Sequence, residues 1–465
     1  MLCFSKMVLQ IFQMMGNFTL QIFGWFRSNF AIVAAVSFLM LQGCVTIDNH
    51  FTKIAPGMWR GILRLEESKV TANPKGSPLE EKMNFKFDEA TNGELPFQME
   101  VKYTTPEVFE IELINGAERI KVESRDIIFK KGIGTDRDTL SILFPVYGSR
   151  IEGIVQERMI DGNYINAKGI ATKLLMRQGD AFRFSTLSKK PDIDISGEWE
   201  TTLGISDSIP EKAIGEFQQN GNHLSGTFRT ETGDYRYLDG EIQANKMYLS
   251  TFDGSHLFLF EGKISKDSIY GIFRSGISYK TLWSAKRNKN FKLRAADSLT
   301  FLKPGFATLD FNFKNTEGKN IAPNNPEYAG KVRIITIMGT WCPNCRDETN
   351  FLVEYLHKNK DMNLGVIGLA FERSPEAAAK QLPIYKERLK VPYEIAVAAT
   401  TTQKDQAAKA LPALNAIIGY PTMIVMDKKG KVRKIFTGFD GPATSKYKTF
   451  QQEFDDLMRK LNSES

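Results

Sequence analysis

The chain has 465 residues, too many for one ordinary core, so two or three domains are expected. With 42% hydrophobic and 25% charged residues, and only 18 Pro against 36 Gly, the composition excludes a disordered, collagenous or multi-span membrane protein. Lys and Arg exceed Asp and Glu by 61 to 54, a formal charge of +7, but the charges are interleaved. No basic run is long enough to follow a phosphate backbone, so nucleic acid is not an expected partner.

Residues 1–43 contain no acid and two bases, Lys6 and Arg27. After Arg27-Ser28-Asn29 comes an apolar run from Phe30 to Leu41, broken only by Ser37. Its length suits a signal-peptide core and is short for a membrane span. It ends in Leu41-Gln42-Gly43-Cys44, which resembles the bacterial lipobox, with Gln42 where a small residue is usual. That resemblance implies removal of residues 1–43, lipidation of Cys44 and a lipid-anchored protein of the bacterial cell envelope facing the periplasm. The alternative is an uncleaved signal anchor with an incidental cysteine. Four cysteines in a chain this long exclude a disulfide-stapled scaffold. Cys3 leaves with the leader, so a lipidated Cys44 would leave Cys342 and Cys345 as the one thiol pair of the mature chain.

From about residue 54 to 290 the pattern has period two. Phe97, Met99, Val101 and Tyr103 alternate with polar residues, as do Phe109, Ile111 and Leu113. Asn115-Gly116 follows as a hairpin signal, both residues tolerating positive φ. The segment reads as antiparallel and duplicated. Gly57-Met58-Trp59 is echoed by Gly197-Glu198-Trp199, Asn115-Gly116 by Asn220-Gly221, and Arg150–Ile154 by Ser268–Ile272. Two similar β lobes are expected, residues 44–190 and 191–295, with the polar stretch Glu67 to Lys82 inserted in the first. Trp59 and Trp199 are expected in the cores, His223 and His256 in solvent near turns. The lobes show no metal spacing, no nucleophile motif and no phosphate loop.

Near residue 300 the composition changes. Val332–Met338 is an apolar, β-branched run that suits a central buried strand. It leads into Gly339-Thr340-Trp341-Cys342-Pro343-Asn344-Cys345-Arg346-Asp347-Glu348, followed by Phe351, Leu352, Tyr355 and Leu356 at helical spacing. The CxxC therefore sits where a strand ends and a helix begins. A helix amino terminus favours an anion, so Cys342 at the cap is the expected attacking thiolate. Cys345, one turn in, should be more buried and resolve the mixed disulfide. Neither a second CxxC nor an HxxxH accompanies the pair to complete a zinc site. Arg346 follows Cys345, so the motif is not a c-type haem attachment site.

Further on, Tyr420-Pro421-Thr422 opens the run Met423–Asp427, with a turn at Lys428-Lys429-Gly430 and a strand from Lys431 to Phe436. These motifs together resemble the thiol-disulfide reductases of the TlpA/ResA type, over roughly residues 300–465. The resemblance implies an α/β thioredoxin-like domain at residues 296–465, a central mixed sheet flanked by helices, preceded by the all-β region. It implies that Pro421 is the cis-proline, and that Trp341, Tyr420, Pro421 and Thr422 meet the substrate. It also implies that Glu348 takes a proton from Cys345. No cofactor is implied. The implied partners are proteins with oxidised cysteine pairs, apocytochromes c among them, and a membrane thiol electron donor. Two departures stand out: Thr336 occupies the place of thioredoxin's buried aspartate, and Pro-Asn separates the cysteines. Two helical stretches are expected near Glu376–Lys390 and Gln403–Ile417, and Glu372 is expected as an exposed loop acid, the alternative being an acid that approaches the site.

The leading reading is thus an extracytoplasmic disulfide reductase. A thiol peroxidase is the first alternative, but such enzymes need Thr or Ser where Gly339 stands and a proline upstream. The other alternative makes the β lobes the main functional part, binding a client or a glycan.

Overall fold

The computed structural model describes residues 52–65, 93–132, 137–401 and 403–464. The leader with Cys44 and the stretch Glu67 to Lys82 lie outside these residues.

Alternating side chains build the first lobe from β1 (Gly57–Arg64), β2 (Glu94–Tyr103), β3 (Phe109–Asn115), β4 (Glu118–Val122), β5 (Ile127–Lys130), β6 (Asp138–Phe144), β7 (Ser149–Gln156), β8 (Met159–Ile165) and β9 (Ala171–Gln178). They form one sheet in the order β4-β3-β2-β1-β9-β8-β7-β6-β5. First and last strands pair, so the meander wraps back on itself and leaves β4 and β5 as edges. The second lobe comprises β10 (Gly197–Leu203), β11 (Glu211–Asn220), β12 (His223–Thr230), β13 (Leu238–Gln243), β14 (Lys246–Phe252), β15 (Leu257–Ser265), β16 (Ser268–Ser275) and β17 (Tyr279–Lys286). Here the pairing of β10 with β17 closes the barrel. Its interior is aromatic: Phe228 lies 4.4 Å from Phe260, which stacks on Phe273 at 4.2 Å.

The lobes share devices that the sequence echoes only partly align. In each first strand a fully buried Trp donates its indole N–H to the carbonyl four residues back, Trp59 to Ala55 and Trp199 to Ile195, both at 2.8 Å. A buried indole needs such a partner. Near the end of each meander two glycines face each other across a hairpin, Gly153 with Gly162 and Gly262 with Gly271. A Cβ on Gly162 or Gly271 would lie 2.0 Å from the carbonyl oxygen of Glu152 or Glu261. By this pairing the counterpart of Ser268–Ile272 is β8, one strand beyond Arg150–Ile154. In both Asn-Gly hairpins the Asn ends its strand, and only the Gly takes positive φ, +58° at Gly116 and +59° at Gly221. Asn115 is thereby free to bond across the lobes, donating to Phe252 O at 3.0 Å. Arg183, from the connection between the lobes, is buried beside it and donates to Asn115 Oδ1, Ile114 O and Ser250 Oγ.

A short hairpin of β18 (Phe313–Lys314) and β19 (Asn320–Ile321) precedes the last sheet. That sheet contains β20 (Val332–Met338), β21 (Leu364–Phe371), β22 (Glu394–Ala399), β23 (Thr422–Met426) and β24 (Val432–Thr437), in the order β22-β21-β20-β23-β24. β20, β21 and β22 run parallel, whereas β23 and β24 are antiparallel additions. Every residue of β20 is buried, as its apolar run requires. The charged exception, Arg333, donates from its Nη groups to the carbonyls of Pro323, Asp427 and Lys428 at 3.0 Å. Helices α1 (Pro343–Lys358), α2 (Pro375–Arg388), α3 (Lys404–Ala407) and α4 (Tyr447–Ser463) accompany the sheet. The second expected helical stretch is far shorter than Gln403–Ile417. It stops after a single further turn at Ala408–Ala410, because Pro412 bars the residue before it from helical geometry.

Lys53–Ser465 pack as one unit. Arg388 of α2 makes a two-pronged ion pair with Asp126 of the first lobe, both contacts at 2.8 Å. Arg236 of the barrel reaches Asp347 of α1. The redox-motif end of the last domain is thus held against both lobes.

Candidate active site

The strand-to-helix junction places the two cysteines. Cys342 caps α1 with extended backbone (φ −102°, ψ 112°), and Pro343 occupies the first helical position, where a missing N–H costs nothing. Cys342 Sγ accepts from Cys345 N at 3.3 Å, which satisfies one of the orphan donors of the helix start. Both thiols are free, Cys345 fully buried and Cys342 7% exposed. Burial, the hydrogen bond to Cys342 and the nearby charges push the Cys345 thiol well above its ordinary range. The outer cysteine is therefore the accessible one and the inner cysteine holds its proton.

The Tyr420–Pro421 peptide is cis and faces this junction. Cys342 Sγ lies 3.5 Å from Tyr420 O, to which it donates. Trp341 donates from Nε1 to Phe371 O at 2.9 Å and meets Tyr420 edge-on, ring centres 5.3 Å apart. Thr422 has a different part from the one expected of it. It is fully buried in β23 with its hydroxyl on Gly419 O at 2.9 Å, so it braces the loop and cannot offer its side chain to a client.

Glu348 lies one turn into α1 and is 1% exposed. Burial pushes its carboxyl up to about 8, against a hydrogen bond from Thr336 that works the other way. Thr336 supplies that bond through Oγ1 to Oε2, while Oε1 is buried with no partner. The residue in the place of thioredoxin's aspartate thus serves Glu348, and the free oxygen can accept a proton. Tyr385 closes the same region, donating to Cys345 O at 3.2 Å and meeting Thr349 Oγ1 at 2.8 Å.

Several contributors fall outside the expected set. Glu372 is not an exposed acid: it is 1% exposed, and its carboxylate accepts from Thr340 N at 2.7 Å and Thr340 Oγ1 at 3.0 Å, fixing the approach to Trp341. Its place directly after the unbroken apolar run of β21 was the signal for burial. His223 is exposed as expected, beside Asp239. His256 is instead partly buried, 3.0 Å from Asp253 Oδ2, and lines a cleft shared with Cys342. No sequence signal joins those residues, because they come from different domains.

Residues 303–450 match the Redoxin family model. These residues form a redoxin domain of thioredoxin-like fold. Its sequence is 25% identical over 154 residues to the thioredoxin-like protein YneN of Bacillus subtilis, covering 33% of this chain and 80% of that one. Among solved structures, a thiol:disulfide interchange protein of Chlorobium tepidum is 19% identical and covers 34% of this chain and 96% of its own, with a TM-score of 0.26. A thiol-disulfide oxidoreductase of Bacteroides fragilis is 18% identical and covers 33% and 99%, with a TM-score of 0.25. Each of these likenesses spans about a third of the chain, the part that carries the CxxC of this redoxin domain.

Proposed function

We propose that this protein is an extracytoplasmic reductase of protein disulfides, working through Cys342 and Cys345 and anchored by lipid at Cys44. The observation that carries it is the pairing of a cleft-lining cysteine at a helix cap with a fully buried one, a helical turn before a buried carboxyl with an unpartnered oxygen. The Cys342 thiolate attacks one sulfur of a client disulfide, forming a mixed disulfide and releasing the other sulfur as a thiolate. Glu348 takes the proton of Cys345, whose sulfur then attacks Cys342 Sγ. The client leaves with two thiols, and Cys342–Cys345 becomes a disulfide that an external dithiol must reduce. Client proteins with oxidised cysteine pairs, apocytochromes c among them, and a membrane thiol donor fit this cycle. The lipobox-like Leu41-Gln42-Gly43-Cys44 supports the anchor and the envelope location, where such pairs can form.

A peroxidase reading finds no support at the site. A Cβ on Gly339 would lie 2.4 Å from Trp341 Nε1, so the position that would need Thr or Ser is covered by the indole.

Glu348→Gln tests the proton step. Decay of the mixed disulfide should slow by about 10²-fold, and its rise with pH through about 8 should disappear. Stability moves the other way. A carboxyl raised from 4.5 to about 8 binds more protons folded than unfolded, so wild-type stability falls as pH rises between those values. The Gln variant lacks that loss, and its melting temperature should gain on the wild type between pH 5 and pH 9. An unchanged pH profile for both quantities would remove Glu348 from the mechanism.

A further inference from the structure

The cysteine that meets the client opens onto the barrel. Cys342 Sγ is flanked by Cys345 N and Tyr420 O on the redox-domain side, and it lines a cleft of about 440 Å³. The redox domain gives that cleft Trp341 and Pro343, and the barrel gives it Tyr235, Phe258, Phe273 and Tyr279. Two acid–base side chains join them, and both are already engaged. Asp234 accepts from Arg236 N at 2.6 Å and Gly441 N at 2.9 Å, and His256 is held by Asp253 while stacking on Phe258 at 4.4 Å. The cleft therefore offers a client aromatic faces and no uncommitted charge around the reacting sulfur.

One turn of the barrel wall is keyed to the redox domain around the CxxC. Asn344, between the cysteines, donates to Asp234 O at 3.2 Å. Gly233 lies against the same amide, where a Cβ would come 2.0 Å from Asn344 Nδ2. Thr232 packs on the loop before the cis-proline and on the loop after β24, so that a Cβ on Gly419 or Gly438 would meet it at 2.6 Å. One barrel turn thus touches the CxxC, the loop before the cis-proline and the loop after β24. A spacer would need none of these contacts.

We propose that the barrel is the specificity wall of the redox site, and that the cleft selects disulfides in flexible segments whose cysteine has aromatic or large aliphatic neighbours. This rests on the dithiol reading above and names the client class for it. Volume sets the flexibility requirement, since ligand pockets span roughly 300–1,000 Å³ and one near the low end admits a cysteine with one or two neighbouring side chains. A helix about 10 Å across does not enter it. The aromatic walls set the sequence preference, because burying an apolar ring against them is favourable, whereas a charged side chain would lose water without gaining a partner.

The test uses the reduced full-length protein in single turnover, so that no electron donor is required. Disulfide-linked peptides of one length would carry the cysteine between Phe and Leu, between two Ser, or between two Glu, with bis(2-hydroxyethyl) disulfide as a small reference. We expect the second-order rate constant for reduction of the Phe/Leu peptide to exceed that for the Glu peptide by at least tenfold. In Ser275→Lys, which places a cation on the cleft wall, that ratio should fall at least tenfold or invert. Equal rates for the three peptides in the wild type would overturn the proposal, whatever the variant does. Failure to reduce any of the peptides, or the reference, would instead bring down the dithiol reading itself.

Discussion

Cys342→Ser should lower disulfide reduction by about 10³-fold or more, because it removes the only sulfur that both lines the cleft and caps the helix. Cys345→Ser should behave differently. Its Cys342 still attacks, but the buried thiol that would expel the client is gone, and water cannot substitute for it. The mixed disulfide should therefore accumulate as a covalent adduct that dithiothreitol releases. Non-reducing electrophoresis after mixing with a disulfide peptide reads both outcomes. Equal adduct yields from the two variants would mean that the order of attack and resolution assigned to the pair is wrong. The asymmetry rests on exposure, 7% against 0%, and on the raised Cys345 thiol.

The second large effect is expected on stability and not on the chemistry of the sulfurs. Arg236 is buried where barrel, first lobe and redox domain meet, and it serves three carboxylates. Its Nη groups pair with Asp347 and Glu118, and Nε lies 3.1 Å from Asp253 without a linear hydrogen bond. Burial works against the guanidinium, but Asp347, Glu118 and Asp253 outweigh it and hold it charged. Glu118 is raised by burial in spite of Arg236, while Asp253 is held well below the usual carboxylate range because His256 and Arg236 outweigh its burial. Arg236→Leu leaves the buried Asp253 and the partly buried Glu118 and Asp347 without their common cation, a loss of about 3–5 kcal/mol. The folded-state affinities of Glu118 and Asp253 for protons would rise, so the deficit should be largest at neutral and alkaline pH and shrink as pH falls. Urea unfolding at pH 5 and pH 8 measures this. A variant as stable as the wild type at pH 8 would show that the cluster contributes nothing net. Arg236→Lys should recover only part of the loss, since an ammonium cannot fork toward several carboxylates.

Much of the redox domain was legible because local signals agreed with one another. The apolar β20, the cysteine spacing, the helical pairs after it and Tyr420-Pro421 all point to one strand–helix junction facing one loop, and the structure has that arrangement. The burial of Glu348, on which its expected part depends, is in the structure as well. What failed were readings that depend on what lies across the chain. Thr336 reads as a missing acid, yet its hydroxyl bonds the buried carboxyl of Glu348. Glu372 reads as a loop residue, yet the Thr340 backbone draws it inward. Period-two alternation announces strands but not closure, so it could not separate the open meander of the first lobe from the barrel of the second. Least legible was the cleft, because Tyr235 and Trp341 are brought together only by the packing of two domains.

The reduction potential of the Cys342–Cys345 couple bears most directly on the direction of electron flow. It can be read by thiol trapping of the protein lacking residues 1–44 in defined dithiol buffers. A value near thioredoxin's, about −270 mV, is expected of a reductase that draws on an external dithiol. A value near about −120 mV would make the pair an oxidant that introduces disulfides, and a pair that never cycles would deny it any part in the chemistry.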